Sequence, residues 1–206
     1  MTPEEVQALF MQDGAYAFAR WGRPLAPVVF GVEDETLAVV REAVHSVAAL
    51  TGQEIEEIDA ELGANLMIFF LRDWDELSGV PDLDRLIPEL ASLVPRLQAA
   101  DAVQYRVFRF DRRGAIKAAF LFVRMARGLE DAPADMVALG QAAQAILTWG
   151  EGTFAGAGPL TRDPESGAAV LRAEIADLIR AAYDPVMPVA ASDPAHALRL
   201  FARMGR

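Results

Sequence analysis

Apolar residues recur along this chain at two periods, and the local period predicts the local element. From Leu37 onward the spacing is helical: Leu37, Val40, Val44, Val47 and Ala48 fall on one arc. Asp34 is placed to cap this helix and Thr51-Gly52 to stop it. Just before it, "LAPVVFGV" (Leu25 to Val32) predicts a short strand. Pro27 cannot donate to a ladder, so the strand lies at an edge or its regular part starts at Val28. "NLMIFFL", Asn65 to Leu71, is apolar on both faces, which marks a central strand covered at least partly from each side. "VPDLDRLIPELASLVPRLQAA" returns to helical spacing through Leu83, Leu86, Ile87, Leu90, Leu93, Val94 and Leu97. Pro88 and Pro95 each delete an internal hydrogen bond and clash with the preceding turn, so the helix between 82 and 99 is predicted to be bent or divided.

Further on, "VQYRVFRF" and "AIKAAFLFV" flank "DRRG", which suits a type I turn closed by Gly114 in the left-handed conformation. This predicts a hairpin over 104 to 124, at or near a sheet edge. After "LEDAPAD" a helix runs from about Asp135 to Trp149, followed by a flexible Gly-rich loop beginning "GEGTFAGAG". A last long helix then presents Val170, Leu171, Ile175, Leu178, Ile179 and Ala182 on one face and ends at Pro185. The first 21 residues read as an amphipathic N-terminal helix, and "DPAHALRLFARM", within 188 to 206, as a short tail helix. The order excludes simple alternation of strand and crossover helix. It predicts a single α+β domain over residues 1 to 206, a mixed sheet with an antiparallel hairpin packed against the helices beginning near 34 and near 135.

Composition narrows the functional classes. A chain of 206 residues with 53% hydrophobic content can bury one sizeable core. Nineteen Lys and Arg stand against 30 Asp and Glu, a formal net charge of -11, which disfavours broad attraction to nucleic acid or anionic lipid. The absence of Cys removes disulfides, thiolate nucleophiles and cysteine-ligated metals, and fits a cytoplasmic protein. Glu4, Glu5 and Asp13 interrupt the start of the chain, so no signal peptide is expected there. The longest apolar run, Leu66 to Leu71, falls far short of the roughly 20 residues of a membrane helix.

Several short segments carry a family likeness. With "TGQEI" after the first long helix, "ANLMIFFL" as the next strand and "LIRAAYDPVMP" near the end, the chain resembles the catalytic domain of zincin-type metalloproteases. More narrowly it is similar to an uncharacterised bacterial zincin-like family known only as a domain of unknown function. The likeness spans roughly residues 20 to 204. It implies a mixed sheet ending in an antiparallel strand, followed by a helix that carries zinc ligands in active members. Ala143-Gln144-Ala145-Ile146 matches the run after that helix's His-Glu pair, which counting back places on Leu139 and Gly140. Neither can bind a metal. A zinc protease needs two imidazoles a turn apart, a third ligand and a Glu base, whereas this chain has two histidines, His45 and His196, both outside that helix. The resemblance therefore implies a degenerate scaffold with no metal and no cofactor: a non-catalytic binding or structural protein whose old cleft is filled or holds a peptide or protein partner. The alternative is a metal-independent hydrolase using carboxylates that sequence distance cannot pair.

On the site helix, Gln141 and Gln144 lie one turn apart and either present their amides to a cleft or serve as surface and capping groups, the commoner outcome. Trp149 either lines a pocket or plugs the core; the core role is favoured. Arg106, Arg109, Arg112, Arg113 and Lys117 are the densest positive charge on the chain. Arg106 and Arg109 are the candidate contacts for an anion or acidic partner; the competing and favoured reading is that these charges protect an edge strand. His45 is read as a boundary residue and His196 as solvated. The acid runs "EIEEIDAEL" and "RDWDEL" are read as solvated faces, since neither has calcium-loop spacing.

Overall fold

The computed structural model describes residues 1–205 apart from 151, 155 and 157. Those three positions of the Gly-rich loop, and residue 206 of the tail, lie outside the described residues. Helix α1 (Pro3–Ala8) starts at a capping box, in which the Thr2 hydroxyl accepts from the Glu5 N–H and the Glu5 carboxylate from the Thr2 N–H. It is short, which corrects the expectation of a helix over the first 21 residues. Asp13 and Gly14, at φ 48° and 78°, form a two-residue turn between β1 (Met11–Gln12) and β2 (Ala15–Tyr16). Positive φ at both central positions is the geometry an Asp-Gly pair favours. Strand β3 (Phe18–Ala19) follows.

The frame comes next: β4 (Pro27–Phe30), α2 (Asp34–Thr51), β5 (Leu66–Leu71), a 3-10 turn (Trp74–Gly79), α3 (Leu83–Leu86), α4 (Leu90–Ala99), β6 (Gln104–Phe110), β7 (Ile116–Arg124) and α5 (Ala134–Ala145). The chain continues as β8 (Leu160–Arg162), β9 (Ala169–Leu171), α6 (Ala173–Ala182), β10 (Ala190–Ala191) and α7 (Ala195–Phe201). The main sheet has the order β4-β5-β7-β6. Strands β4, β5 and β7 are parallel, and β6 closes the edge antiparallel to β7. This is an α+β fold. The expected hairpin is present: the Asp111 N–H donates to the Ala115 carbonyl, Gly114 sits at φ 79°, and a bulge falls between Arg109 and Phe110.

Alternation along the two central strands divides the core. Leu66, Ile68 and Phe70 of β5 and Ala119, Leu121 and Val123 of β7 join one cluster with α2, α5 and α6. Phe69 and Leu71, with Ala118, Phe120 and Phe122, join the other with the 3-10 turn, α3 and α4. The first cluster also gathers Val6, Phe10 and Tyr16 from one end of the chain and Ala197 and Leu200 from the other.

The prolines act differently from each other. Pro88 divides the predicted helix, with Ile87 pushed to φ -128° and ψ 84° ahead of it. Pro95 is accommodated inside α4. Helix α2 stops at Gly52 in the left-handed conformation as expected, but its cap is Glu33 rather than Asp34. Helix α5 ends at Ala145, short of Trp149. Val170 and Leu171 belong to β9, paired with β8, and not to α6. Among the described residues of the tail only Ala195–Phe201 is helical, and Ala190–Ala191 pairs with β3. Among the described residues no helix is long and apolar enough to cross a membrane.

Candidate functional site

Helix α5 is built from small residues and is buried on nearly every side, with Ala138, Ala142, Ala143 and Ala145 in the core. The last carbonyls of a helix lack partners within it, and here three aromatic side chains supply them. The Trp149 indole donates to the Ala143 carbonyl at 2.8 Å, the Trp21 indole to Ala145 at 2.9 Å, and the Tyr183 hydroxyl to Ile146 at 2.8 Å. The bonds from Trp21 and Tyr183 fix the helix end against elements distant in sequence. Trp149 also stacks on Phe10, ring centroids 5.5 Å apart and 13° from parallel, and meets Phe154 edge-on at 5.1 Å. It is a core plug that anchors α5.

One face of α5 is left free to line a cleft of about 560 Å³. Met136, Val137, Gly140, Gln141 and Gln144 recur along that face at spacings of three and four, and Gln104 and Arg106 of the edge strand β6 form the opposite wall. The residues after α5, including Phe154 and Pro159, complete the rim. Gln141 is 2% exposed and Gln144 8%, so both are cleft residues rather than the surface or capping groups favoured from sequence. The Gln144 amide donates to the Gly140 carbonyl one turn back at 3.2 Å, and its Oε1 accepts from Arg106 Nη1. The Gln141 side chain makes no hydrogen bond to any described residue. Burial lowers the pKa of the half-buried Arg106 guanidinium, which stays cationic at neutral pH. The Arg106–Gln144 bridge also borders a smaller recess of about 320 Å³ that reaches Gln12, Phe108 and Trp149.

The structure separates the two candidate arginines. They are three residues apart on a strand of period two; Arg106 faces α5, while Arg109 donates to the Leu86 carbonyl at 3.0 Å beside α3. Arg109 plays no part in the cleft. Arg112 and Arg113 are exposed at the hairpin turn, where Arg113 pairs with Asp111.

Leu139 lines a groove between α2 and α5, so of the pair assigned to the His-Glu positions only Gly140 lies in the cleft. Gly140, Gln141 and Gln144 contribute no group that binds zinc. Among the described residues no three His, Asp or Glu side chains converge as metal ligands. His45 is exposed on α2. His196 is 4% exposed, not solvated as expected: its Nδ1 is 2.8 Å from the Tyr16 hydroxyl and its ring centroid 4.3 Å from that of Phe18. Its Nε2 is buried without a partner among the described residues. Burial, reinforced by nearby Arg199, pulls its pKa down to about 4, and burial raises that of Tyr16.

The acids of "RDWDEL" are exposed as expected, as are those of the other run apart from Asp59. Asp59 is buried and accepts from the Glu61 and Leu62 N–H groups, from Asn65 and from Arg23. Asp73 caps the 3-10 turn in a second capping box with Glu76, a D-x-x-E signal present in the sequence.

The fold and cleft together define an α+β protein with an amide-lined groove between a helix and the antiparallel edge strand of its sheet. No family model, curated protein or solved structure matches the chain.

Proposed function

We propose that the protein is a non-catalytic binding protein on a degenerate zincin-like scaffold, and that the cleft between α5 and β6 receives an extended peptide or protein segment. The scaffold reading is supported by the chain order: parallel strands, an antiparallel edge strand, its neighbouring parallel strand and then a helix facing the cleft. Binding without catalysis is favoured by the cleft's chemistry, since the described lining supplies amides, one guanidinium and the Thr153 hydroxyl but no carboxylate, imidazole or thiol. The observation that carries the proposal is Gln141. Its amide lies in the cleft beside an edge strand with no hydrogen bond to a described residue, and an amide both donates and accepts, as a peptide backbone requires. The cysteine-free composition fits a cytoplasmic setting.

A displayed random-peptide library tests this, selected on the natural chain and on Gly140→Phe. Gly140 lines the cleft and a Cβ there meets only Leu160 Cδ1 at 3.8 Å, so a phenyl ring at this position is chosen to fill the cleft. Enriched peptides should lose at least tenfold in affinity for the filled variant. Failure to enrich any peptide, or binding indifferent to the filling, overturns the binding reading. One zinc per chain surviving dialysis, or chelator-sensitive peptide cleavage, overturns the non-catalytic one.

A further inference from the structure

We infer that Arg106 anchors a carboxylate of the ligand bound in this cleft, an inference that rests on the cleft being a peptide site. The guanidinium is half-buried between β6 and α5. Its one side-chain partner among the described residues is Gln144, a neutral amide itself held by the Gly140 carbonyl. That contact aims the planar fork without neutralising it. Of the other half-buried arginines, Arg23, Arg124, Arg172 and Arg203 each reach a carboxylate, of Asp59, Asp101, Glu174 and Asp184, while Arg20 and Arg109 donate to the Met187 and Leu86 carbonyls instead of facing a cleft wall of amides. Arg106 forms no ion pair with any described residue. A cation removed from water without a counter-charge is unfavourable, and an incoming carboxylate offsets that by taking two parallel N–H bonds from the fork. Lys would not substitute, because its point charge lacks the paired donors. Gln104 of the same strand and Gln141 of the facing helix line the same cleft, and their amides suit the polar backbone of the same ligand.

The carboxylate comes either from a peptide's C-terminus or from an Asp or Glu side chain, and one experiment separates the two. Four fluorescently tagged tetrapeptide pools are titrated by anisotropy: free C-terminus without internal acids, amidated C-terminus without acids, amidated with one fixed Glu, and amidated with Gln in its place. The proteins are the natural chain, Arg106→Gln, Gly140→Phe and Gln144→Glu, the last of which supplies an internal carboxylate beside the guanidinium. At least one acid-bearing pool should bind the natural chain tenfold or more tightly than its neutral counterpart, and that pool names the source. The preference should vanish in Arg106→Gln and in Gln144→Glu. If Arg106→Gln does not fold, Gln144→Glu carries the test alone, because it leaves the arginine in place. Acidic and neutral pools binding equally, yet losing affinity in Gly140→Phe, overturn this inference while the cleft reading stands. No binding by any pool overturns both.

Discussion

Replacing Asn65 by Ala is expected to destabilise the protein far more than one polar truncation suggests. The side chain is fully buried ahead of β5. Its Oδ1 accepts from the Ala26 N–H at 2.8 Å, and its Nδ2 donates to the Pro24 carbonyl at 2.9 Å and to Asp59 Oδ2 at 2.8 Å. Asp59 retains Arg23 and the Glu61 and Leu62 N–H groups, so most of the loss falls on Ala26 and Pro24. Each buried group left unpaired costs about 1–3 kcal/mol, giving about 3–5 kcal/mol together with the weakened carboxylate. That is a large share of the ~5–15 kcal/mol a domain commands. Urea unfolding followed by tryptophan fluorescence reads this directly, because Trp21, Trp74 and Trp149 are all buried. Asn65→Asp supplies a control with a distinct pH dependence. In the natural protein burial pushes the Asp59 pKa up, but the bonds from Asn65, Leu62, Glu61 and Arg23 outweigh it and hold the group at about 2. Its contribution is therefore present above the ordinary 3.8 and lost as pH falls from there toward 2. Two carboxylates in this site instead raise one pKa, so the folded variant takes up a proton and gains stability as pH falls from about 7 toward 5. A loss below about 1 kcal/mol in Asn65→Ala, or no recovery of Asn65→Asp on acidification, refutes the account.

Two further outcomes are expected. The folded-state pKa of His196, about 4, lies below the ordinary 6.5, so the unfolded chain binds the proton first and stability falls as pH drops from 6.5 toward 4. The loss over that range is about 2 kcal/mol after allowing for solvent screening of the ring; urea midpoints at pH 7 and pH 5 should show about half of it in the natural chain and a smaller change in His196→Gln, and equal changes in both exclude His196 as its source. Gly140→Ala should raise stability by about 0.5–1 kcal/mol, since a Cβ there meets nothing closer than 3.8 Å while helical Gly is entropically unfavourable; a lower melting temperature would show that the residue is packed rather than open to the cleft.

Local signals made much of the frame readable. The strand apolar on both faces, the Gly52 stop, the hairpin around Gly114 and the division at Pro88 each depend on a few adjacent residues. The Asp13-Gly14 hairpin was equally local, but it lies inside a stretch whose apolar residues also fit a helical period, and the period prevailed over the turn signal. Val170 and Leu171 fit the helical period for the same reason, since two apolar residues beside a helical run do not reveal that they pair backward with β8. The site was half legible. Gln141, Gln144 and Arg106 could be named, yet their convergence depends on α5 returning across the sheet to set Gln144 against Arg106 of β6, which no spacing encodes. The burial of His196 and Asp59 was hidden likewise: Tyr16 stands 180 residues from the histidine, and Asn65 and Arg23 approach the aspartate from either side of α2.

The two sides of the sheet draw on very different lengths of chain. Buried residues on the α3 and α4 side all fall between Phe69 and Phe122, so during synthesis that side can close as soon as β7 has left the ribosome. The opposite side needs Ala197 and Leu200 beside Val6 and Phe10, and it waits for nearly eighty more residues, at about 5–20 per second. Through that interval Ile68, Leu121 and Val123 belong to a surface that is still incomplete. A nascent chain stalled there presents an apolar sheet face to chaperones, or to its neighbour on the same message, making the tempo of elongation a determinant of yield.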